Sequence, residues 1–139
     1  MILKESWFKN LKRLETLSLS NNEILDIENN AFDSLVNLEQ LYLNNNKLTS
    51  IKEPWFKNLK ELTRLGISNN EINKIEDGAF VNLTNLNELY LYKNKLIEKN
   101  EVWFSGMKKL RRLDIYGNQI EDINEQFYKD LGLEFLEPF

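Results

Sequence analysis

The chain has 139 residues, 42% hydrophobic and 29% charged, with a formal net charge of −4 and neither cysteine nor histidine. That length bounds it to one domain, and the missing side chains exclude disulfides, zinc centres, thiol nucleophiles and imidazole bases. No basic stripe suggests nucleic acid, and no apolar run approaches the roughly 18 residues of a membrane span, so neither nucleic acid nor membrane insertion is expected.

The first seven residues, Met1 to Trp7, have no long apolar core and no small-residue cleavage site, so they do not read as a signal peptide. Leu3 is in phase with Ile27, Ile51 and Ile75, and Phe8 and Leu11 are in phase with Phe32 and Leu35. Residues 1–13 therefore read as a partial repeat, entered on its convex side, with nothing before it resembling a polar cap. From Leu14 onward one frame governs the chain: L-x-x-L-x-[LI]-x-x-N-x-[LI], starting at 14, 38, 62, 86 and 110, each start 24 residues after the last. Within the frame, x-Leu-x-Leu-x is a short strand whose alternate residues point to opposite faces. The spacing predicts parallel strands at Leu17–Ser20, Leu41–Asn44, Leu65–Ser68, Leu89–Tyr92 and Leu113–Tyr116.

After each strand come an asparagine turn, an aliphatic pair such as Ile24/Ile27 and a Phe-x-x-Leu return. One repeat cannot bury its own apolar side, so the copies must stack. Leu14, Leu17, Leu19, Ile24, Ile27, Phe32 and Leu35 are inward in the first full repeat. At about 1.5–3 kcal/mol per large buried side chain, such layers carry a fold without disulfides.

A 48-residue period overlies the first: Trp7-Phe8, Trp55-Phe56 and Trp103-Phe104 alternate with Ala31-Phe32 and Ala79-Phe80. Large beside small lets neighbouring layers interdigitate; the rival reading is a convex tryptophan stripe that binds something. Lys99 takes an inward slot that is isoleucine in the other full repeats. A charge there is costly, so the backbone shifts or the stem is buried with its head in water. Toward the end, Tyr128 and Leu131 keep phase, whereas Leu133 and Leu136 come a residue early. Residues from about 131 to 139 read as a degenerate closing repeat, with Pro138 suited to an edge strand.

The asparagine ladder 22, 46, 70, 94 and 118 reads as structural, its amides answering backbone groups that the turns leave unpaired. Asn82-Leu-Thr84 is the only N-glycosylation sequon, inside a stretch that the repeat already explains. No catalytic constellation or phosphate loop is present, so no enzyme activity and no cofactor are expected.

More information lies in the outward strand positions, which stack into columns about 4.8 Å apart. One column is Ser18, Tyr42, Gly66, Tyr90 and Asp114; the next is Ser20, Asn44, Ser68, Tyr92 and Tyr116; a third is Thr16, Gln40, Arg64, Glu88 and Arg112. Tyr42 and Tyr90 flank Gly66, which leaves a shallow slot, and Tyr90, Tyr92 and Tyr116 form an aromatic patch. Arg64, Glu88 and Arg112 alternate in sign and are placed to pair across strands. Tyrosine and arginine dominate interface hot spots. The candidate partner-binding residues are therefore Tyr42, Arg64, Gly66, Glu88, Tyr90, Tyr92, Arg112, Asp114 and Tyr116, weighed against ordinary cross-strand stacking with no partner.

The frame, together with Phe32-Asp-Ser-Leu-Val-Asn-Leu38 and Gly78-Ala-Phe-Val-Asn-Leu-Thr-Asn-Leu86, resembles the leucine-rich repeat family in its 24-residue, extracellular-animal form. The resemblance implies an α/β-type solenoid: a right-handed horseshoe with a parallel concave sheet and an irregular or 3-10 convex side. It also implies protein binding, as in receptors, adhesion molecules or innate immunity, and it carries over no catalytic residue. The repeat type favours an extracellular setting; the missing cysteine caps and signal peptide speak against it. A fragment, a capless member and an engineered solenoid all fit these residues.

The leading expectation is a non-enzymatic module that binds a protein through its concave face. The alternative is a structural or self-assembling solenoid, or a designed repeat protein with no natural ligand, acting through exposed ends. An uncapped end shows an open core layer and a free strand edge, so a homodimer through the N-terminal end is expected.

Overall fold

The computed structural model describes residues 1–135. The chain winds as a parallel-sheet solenoid. Its central sheet is β2 (Thr16–Ser18), β4 (Gln40–Tyr42), β6 (Arg64–Gly66), β8 (Glu88–Tyr90) and β9 (Arg112–Asp114), hydrogen-bonded in that order and all parallel. The register pairs Leu17 with Leu41, Leu41 with Leu65, Leu65 with Leu89 and Leu89 with Leu113, so each step is one 24-residue repeat. On the convex side β1 (Ile2–Leu3) pairs with β3 (Asp26–Ile27), and β5 (Ser50–Ile51) with β7 (Lys74–Ile75). Short 3-10 stretches at Glu5–Trp7, Glu53–Phe56 and Glu101–Phe104 complete the tryptophan-bearing turns.

The strands begin one residue earlier and end two residues earlier than the spacing predicts. Inter-repeat bonds continue past their ends, from Leu19 N to Tyr42 O (2.8 Å) and from Asn21 N to Asn44 O (3.0 Å). Between those bonds the chain leaves extended geometry, because Asn21, Asn45, Asn69 and Lys93 all have φ between 54° and 61° and Gly117 has φ 71°. This left-handed turn brings the next residue, the ladder asparagine, under the loop. Asn70 shows the result: Nδ2 donates to Leu43 O (3.0 Å) and Ile67 O (3.2 Å), while Oδ1 accepts from Leu48 N (3.1 Å). Asn46, Asn94 and Asn118 repeat the pattern, each reaching one carbonyl of the repeat before it. Asn22 bonds only to Leu19 O and Ser20 O, within its own turn.

The core is the stack of inward leucines, isoleucines and phenylalanines, with Leu41, Leu43, Leu65, Ile67, Leu89 and Leu91 all fully buried. The alternation of tryptophan and alanine is a packing device at two of its three tryptophans. Trp55 and Trp103 are 1% and 2% exposed beside buried Ala31 and Ala79, and Trp55 Nε1 donates to Ile27 O at 3.1 Å, one repeat back. Trp7, in the first turn of the described chain, is 50% exposed.

Lys99 is exposed and residues 98–99 form no convex strand. Its ammonium stands 5.8 Å from the centroid of the Phe127 ring, in a cation–π position. At the C-terminal end residues 125–130 form a helix, α1 (Glu125–Asp130), which the spacing did not predict. Asn124 caps it by accepting from Phe127 N at 3.1 Å, and the helical pitch buries both Phe127 and Tyr128. Burial pushes the Tyr128 phenol up to about 12, and the charge of Asp114 adds to the shift. Leu133 is buried and Phe135 packs on Tyr128, with no strand across 131–135; Leu136 and Pro138 lie outside the described residues.

Replacing Asn70 by alanine leaves several buried backbone groups unpaired, so Asn70→Ala lowers unfolding free energy by about 2–4 kcal/mol in denaturant titration. Asn22→Ala, on an exposed turn, costs less than about 1 kcal/mol. Lys93 holds a conformation that disfavours a lysine side chain and suits asparagine. Lys93→Asn therefore raises stability by about 0.5–1 kcal/mol, and Asn45→Lys lowers it by a similar amount.

Candidate functional site

Each concave strand turns one side chain inward, into the leucine layer, and the residues on either side of it outward. The fold therefore sets the predicted columns side by side: Thr16, Gln40, Arg64, Glu88 and Arg112 are in register, as are Ser18, Tyr42, Gly66, Tyr90 and Asp114. Tyr42, Arg64, Glu88, Tyr90, Tyr92, Arg112, Asp114 and Tyr116 are all partly exposed on this face.

One hydrogen-bonded chain crosses three strands, β4, β6 and β8. Tyr42 OH donates to Gln40 Oε1 (2.7 Å), and Arg64 Nη1 reaches Tyr42 OH at 3.4 Å. Arg64 Nε is paired with Glu88, and Tyr90 OH donates to the same Glu88 Oε2 at 3.2 Å. The expected pairing of Arg112 with Glu88 does not form. Arg112 turns along its own strand to Asp114 Oδ2, at 3.2 and 3.3 Å, and its guanidinium lies 5.7 Å from the centroid of the Tyr90 ring. Glu88 is already engaged by Arg64 and Tyr90, and Asp114 is the nearer carboxylate.

These contacts set the charge pattern. Tyr42 and Glu88 hold the Arg64 guanidinium further into its charged range, and Asp114 does the same for Arg112. Burial, aided by the Glu88 charge, pushes the Tyr90 phenol up. The face thus presents two arginine cations, each paired with a carboxylate.

The predicted aromatic patch is a stacked pair plus one neighbour. Tyr92 and Tyr116 stack with centroids 5.2 Å apart and planes 5° from parallel, whereas Tyr90 is held by Glu88 and Arg112. The slot exists, as a depression of about 360 Å³ lined by Tyr42, Asn44, Arg64, Tyr90 and Tyr92. Gly66 is not its accessible floor. It is buried, and a Cβ there would stand 2.8 Å from Asn44 Nδ2 and 3.2 Å from Tyr42 Cδ1. Asn44 covers it while its Oδ1 accepts from Ser68 N at 2.7 Å. Glycine at 66 is what lets that amide lie flat against the sheet.

A second groove, about 460 Å³ and polar, runs along the strand starts and is lined by Gln40, Thr63, Arg64, Asn87, Arg111 and Glu134 among others. Sequence reasoning left these six, Arg64 apart, out of the site. Thr63, Asn87 and Arg111 share one 24-residue column just before the strands, so a fourth column would have found them. Glu134 follows the helix and has no repeat position to announce it. The largest depression, about 710 Å³, lies over the asparagine turns (Asn21, Asn22, Asn45, Asn46), where the ladder amides are already engaged. Among the described residues no cluster of acidic side chains has the make-up of a metal site, and no helix is long and apolar enough to cross a membrane.

The family model described as "Leucine rich repeat" matches residues 3–48, 37–96, 60–120 and 84–137. Among solved structures, a chain of the Drosophila Toll–Spätzle complex is 28% identical with a TM-score of 0.81, over 86% of this chain and 17% of that one. Internalin C2 of Listeria monocytogenes is 27% identical with a TM-score of 0.76, over 97% of this chain and 56% of that one. The APL1 leucine-rich repeat domain, 22% identical with a TM-score of 0.85, covers 91% of this chain and 33% of that chain, and shows the shared fold. No curated protein sequence matches the chain.

Proposed function

The chain belongs to the leucine-rich repeat family, and from that premise we propose that it is a non-enzymatic interaction module that binds a protein partner through its concave sheet. The observation that carries this reading is the network from Gln40 through Tyr42, Arg64, Glu88 and Tyr90, with Arg112 over the Tyr90 ring. It fixes large amphipathic side chains before any partner arrives, which reduces the entropy lost on binding. One similar solved structure is itself a complex between two proteins, Toll and Spätzle. The repeat type favours an extracellular setting for such a module.

Tyr90→Ala and Tyr92→Ala should each weaken partner binding by about 1–3 kcal/mol, measured by calorimetry, with little change in melting temperature. Trp55→Ala should do the reverse, since Trp55 is buried on the convex side. A partner whose affinity ignores both tyrosines and collapses on convex substitutions overturns the choice of face.

A second reading, self-association through the N-terminal end, is favoured by one contrast. Trp7, Met1, Ile2 and Leu11 are 41–50% exposed there, and Leu14, Leu17 and Leu19 are only partly buried, whereas their counterparts one repeat on are fully buried. Two such ends meeting about a two-fold axis cover both. Light scattering should show a dimer that Trp7→Ser with Leu11→Ser converts to monomer; a monomer at high micromolar concentration overturns this reading.

A further inference from the structure

Segments 9–15, 33–39, 57–63, 81–87 and 105–111 carry each turn from the convex side back to the next concave strand, and they stack as one lateral flank. Backbone bonds of 2.8 Å run along it from Glu39 N to Glu15 O, Thr63 N to Glu39 O, Asn87 N to Thr63 O and Arg111 N to Asn87 O. Side chains tie it further: Asn37 and Asn85 donate to Lys12 O and Lys60 O, both at 2.7 Å, and Lys109 Nζ donates to Asn85 Oδ1 at 2.8 Å.

These segments hold eight basic against four acidic side chains, a net of +4 within a chain of −4, so the rest of the molecule stands at −8. In linear order the signs are interleaved, and the fold sorts them. All eight basic side chains are exposed. Lys12, Lys60 and Lys108 take the same position in alternate turns, with Val36 and Thr84 between them. None of the three lysines has an ion-pair partner among the described residues. With turns about 4.8 Å apart, the lysines form a row with steps of about 10 Å.

We propose that this flank is a docking surface for an extended acidic polypeptide segment that runs along the row. A step of about 10 Å is one turn of an extended polyproline II chain, three residues at roughly 3.1 Å each, in which every third side chain shares a face, so an acidic residue at every third position meets every lysine. Glu15 and Glu39 border the strand side of the flank and Glu61 adjoins Lys60; these carboxylates repel any anion, so charges spaced to meet the lysines alone are favoured over a continuous phosphate backbone. The flank is continuous with the concave face, because Arg111 shares a groove with Arg64 and Glu88. Exposed charges of this kind are individually weak and act chiefly on encounter rate and orientation. This surface goes beyond the concave reading and does not depend on it.

The test is fluorescence anisotropy with a labelled extended peptide bearing glutamate at every third position, on the whole chain at low salt and then at physiological salt. Binding should be measurable at low salt and weaken about tenfold or more as salt rises. The triple charge reversal Lys12→Glu, Lys60→Glu, Lys108→Glu should abolish it, and the corresponding glutamine triple should weaken it several-fold. Melting curves identify any variant that does not fold, and the glutamine triple stands in for a charge reversal that fails. The control triple Lys47→Glu, Lys74→Glu, Lys95→Glu, away from the flank, should leave binding within about twofold of the parent. Tyr90→Ala should leave it unchanged, which separates failure here from failure of the concave reading. Equal loss in both charge-reversal triples, no binding at low salt, or tighter binding of heparin oligosaccharide or single-stranded DNA of matched charge overturns the proposal.

Discussion

The structure depends on the hydrogen bonds that each buried turn must find. A chain that leaves a parallel strand and doubles back over its own core points carbonyls and an N–H into a region without water, and each unpaired group there is costly. One carboxamide answers them together, because it donates two hydrogens and accepts through its oxygen. The acceptors it reaches belong to two adjacent turns, Leu43 O and Ile67 O for Asn70, so the same side chain that closes a turn also locks the spacing between turns. Aspartate lacks the donors, and serine cannot reach both carbonyls. Hence asparagine recurs at 22, 46, 70, 94 and 118.

Locked spacing has a second effect, because it turns sequence position into a surface coordinate. Residues 24 apart become neighbours on one face, and a partner meets columns rather than segments. The inward half of every strand is committed to leucine and isoleucine, and the ladder commits the turn. Apart from the buried Gly66, the outward strand positions are left unconstrained by the fold. Their tyrosines and arginines are therefore informative in a way that the buried leucines are not, since packing does not require them there.

This also explains what was legible. The five concave strands, their parallel order, the inward set and the ladder follow from periodicity alone, because each is specified five times over. Features specified once were not legible. Helix α1 arises in a stretch where Tyr128 and Leu131 still keep the frame, and there local propensity with an Asn124 cap decides. Lys99 was recognised as out of place, but the ring it finds, Phe127, belongs to that unforeseen helix. Arg112 was in the right column with the wrong partner, since column order says which side chains are near and not which carboxylate is already taken. Gly66 was read as leaving a slot between two tyrosines; the slot is present, but the neighbouring Asn44 covers the glycine and lines it instead.

The 48-residue period joins interior and exterior in one further respect. The turns that carry Trp7, Trp55 and Trp103 are the turns that carry Lys12, Lys60 and Lys108, five residues later. At Trp55 the bulky indole reaches back one repeat to Ile27 O, and the alternate turns hold the small Ala31 and Ala79 that make room for such a ring. Tryptophan turns thus alternate with alanine turns, and the same 48-residue period separates the lysines on the flank by two turns. A one-turn spacing would set three ammonium groups about 5 Å apart and raise their mutual repulsion. One 48-residue period thus carries both the large-and-small packing inside the solenoid and the charge spacing outside it.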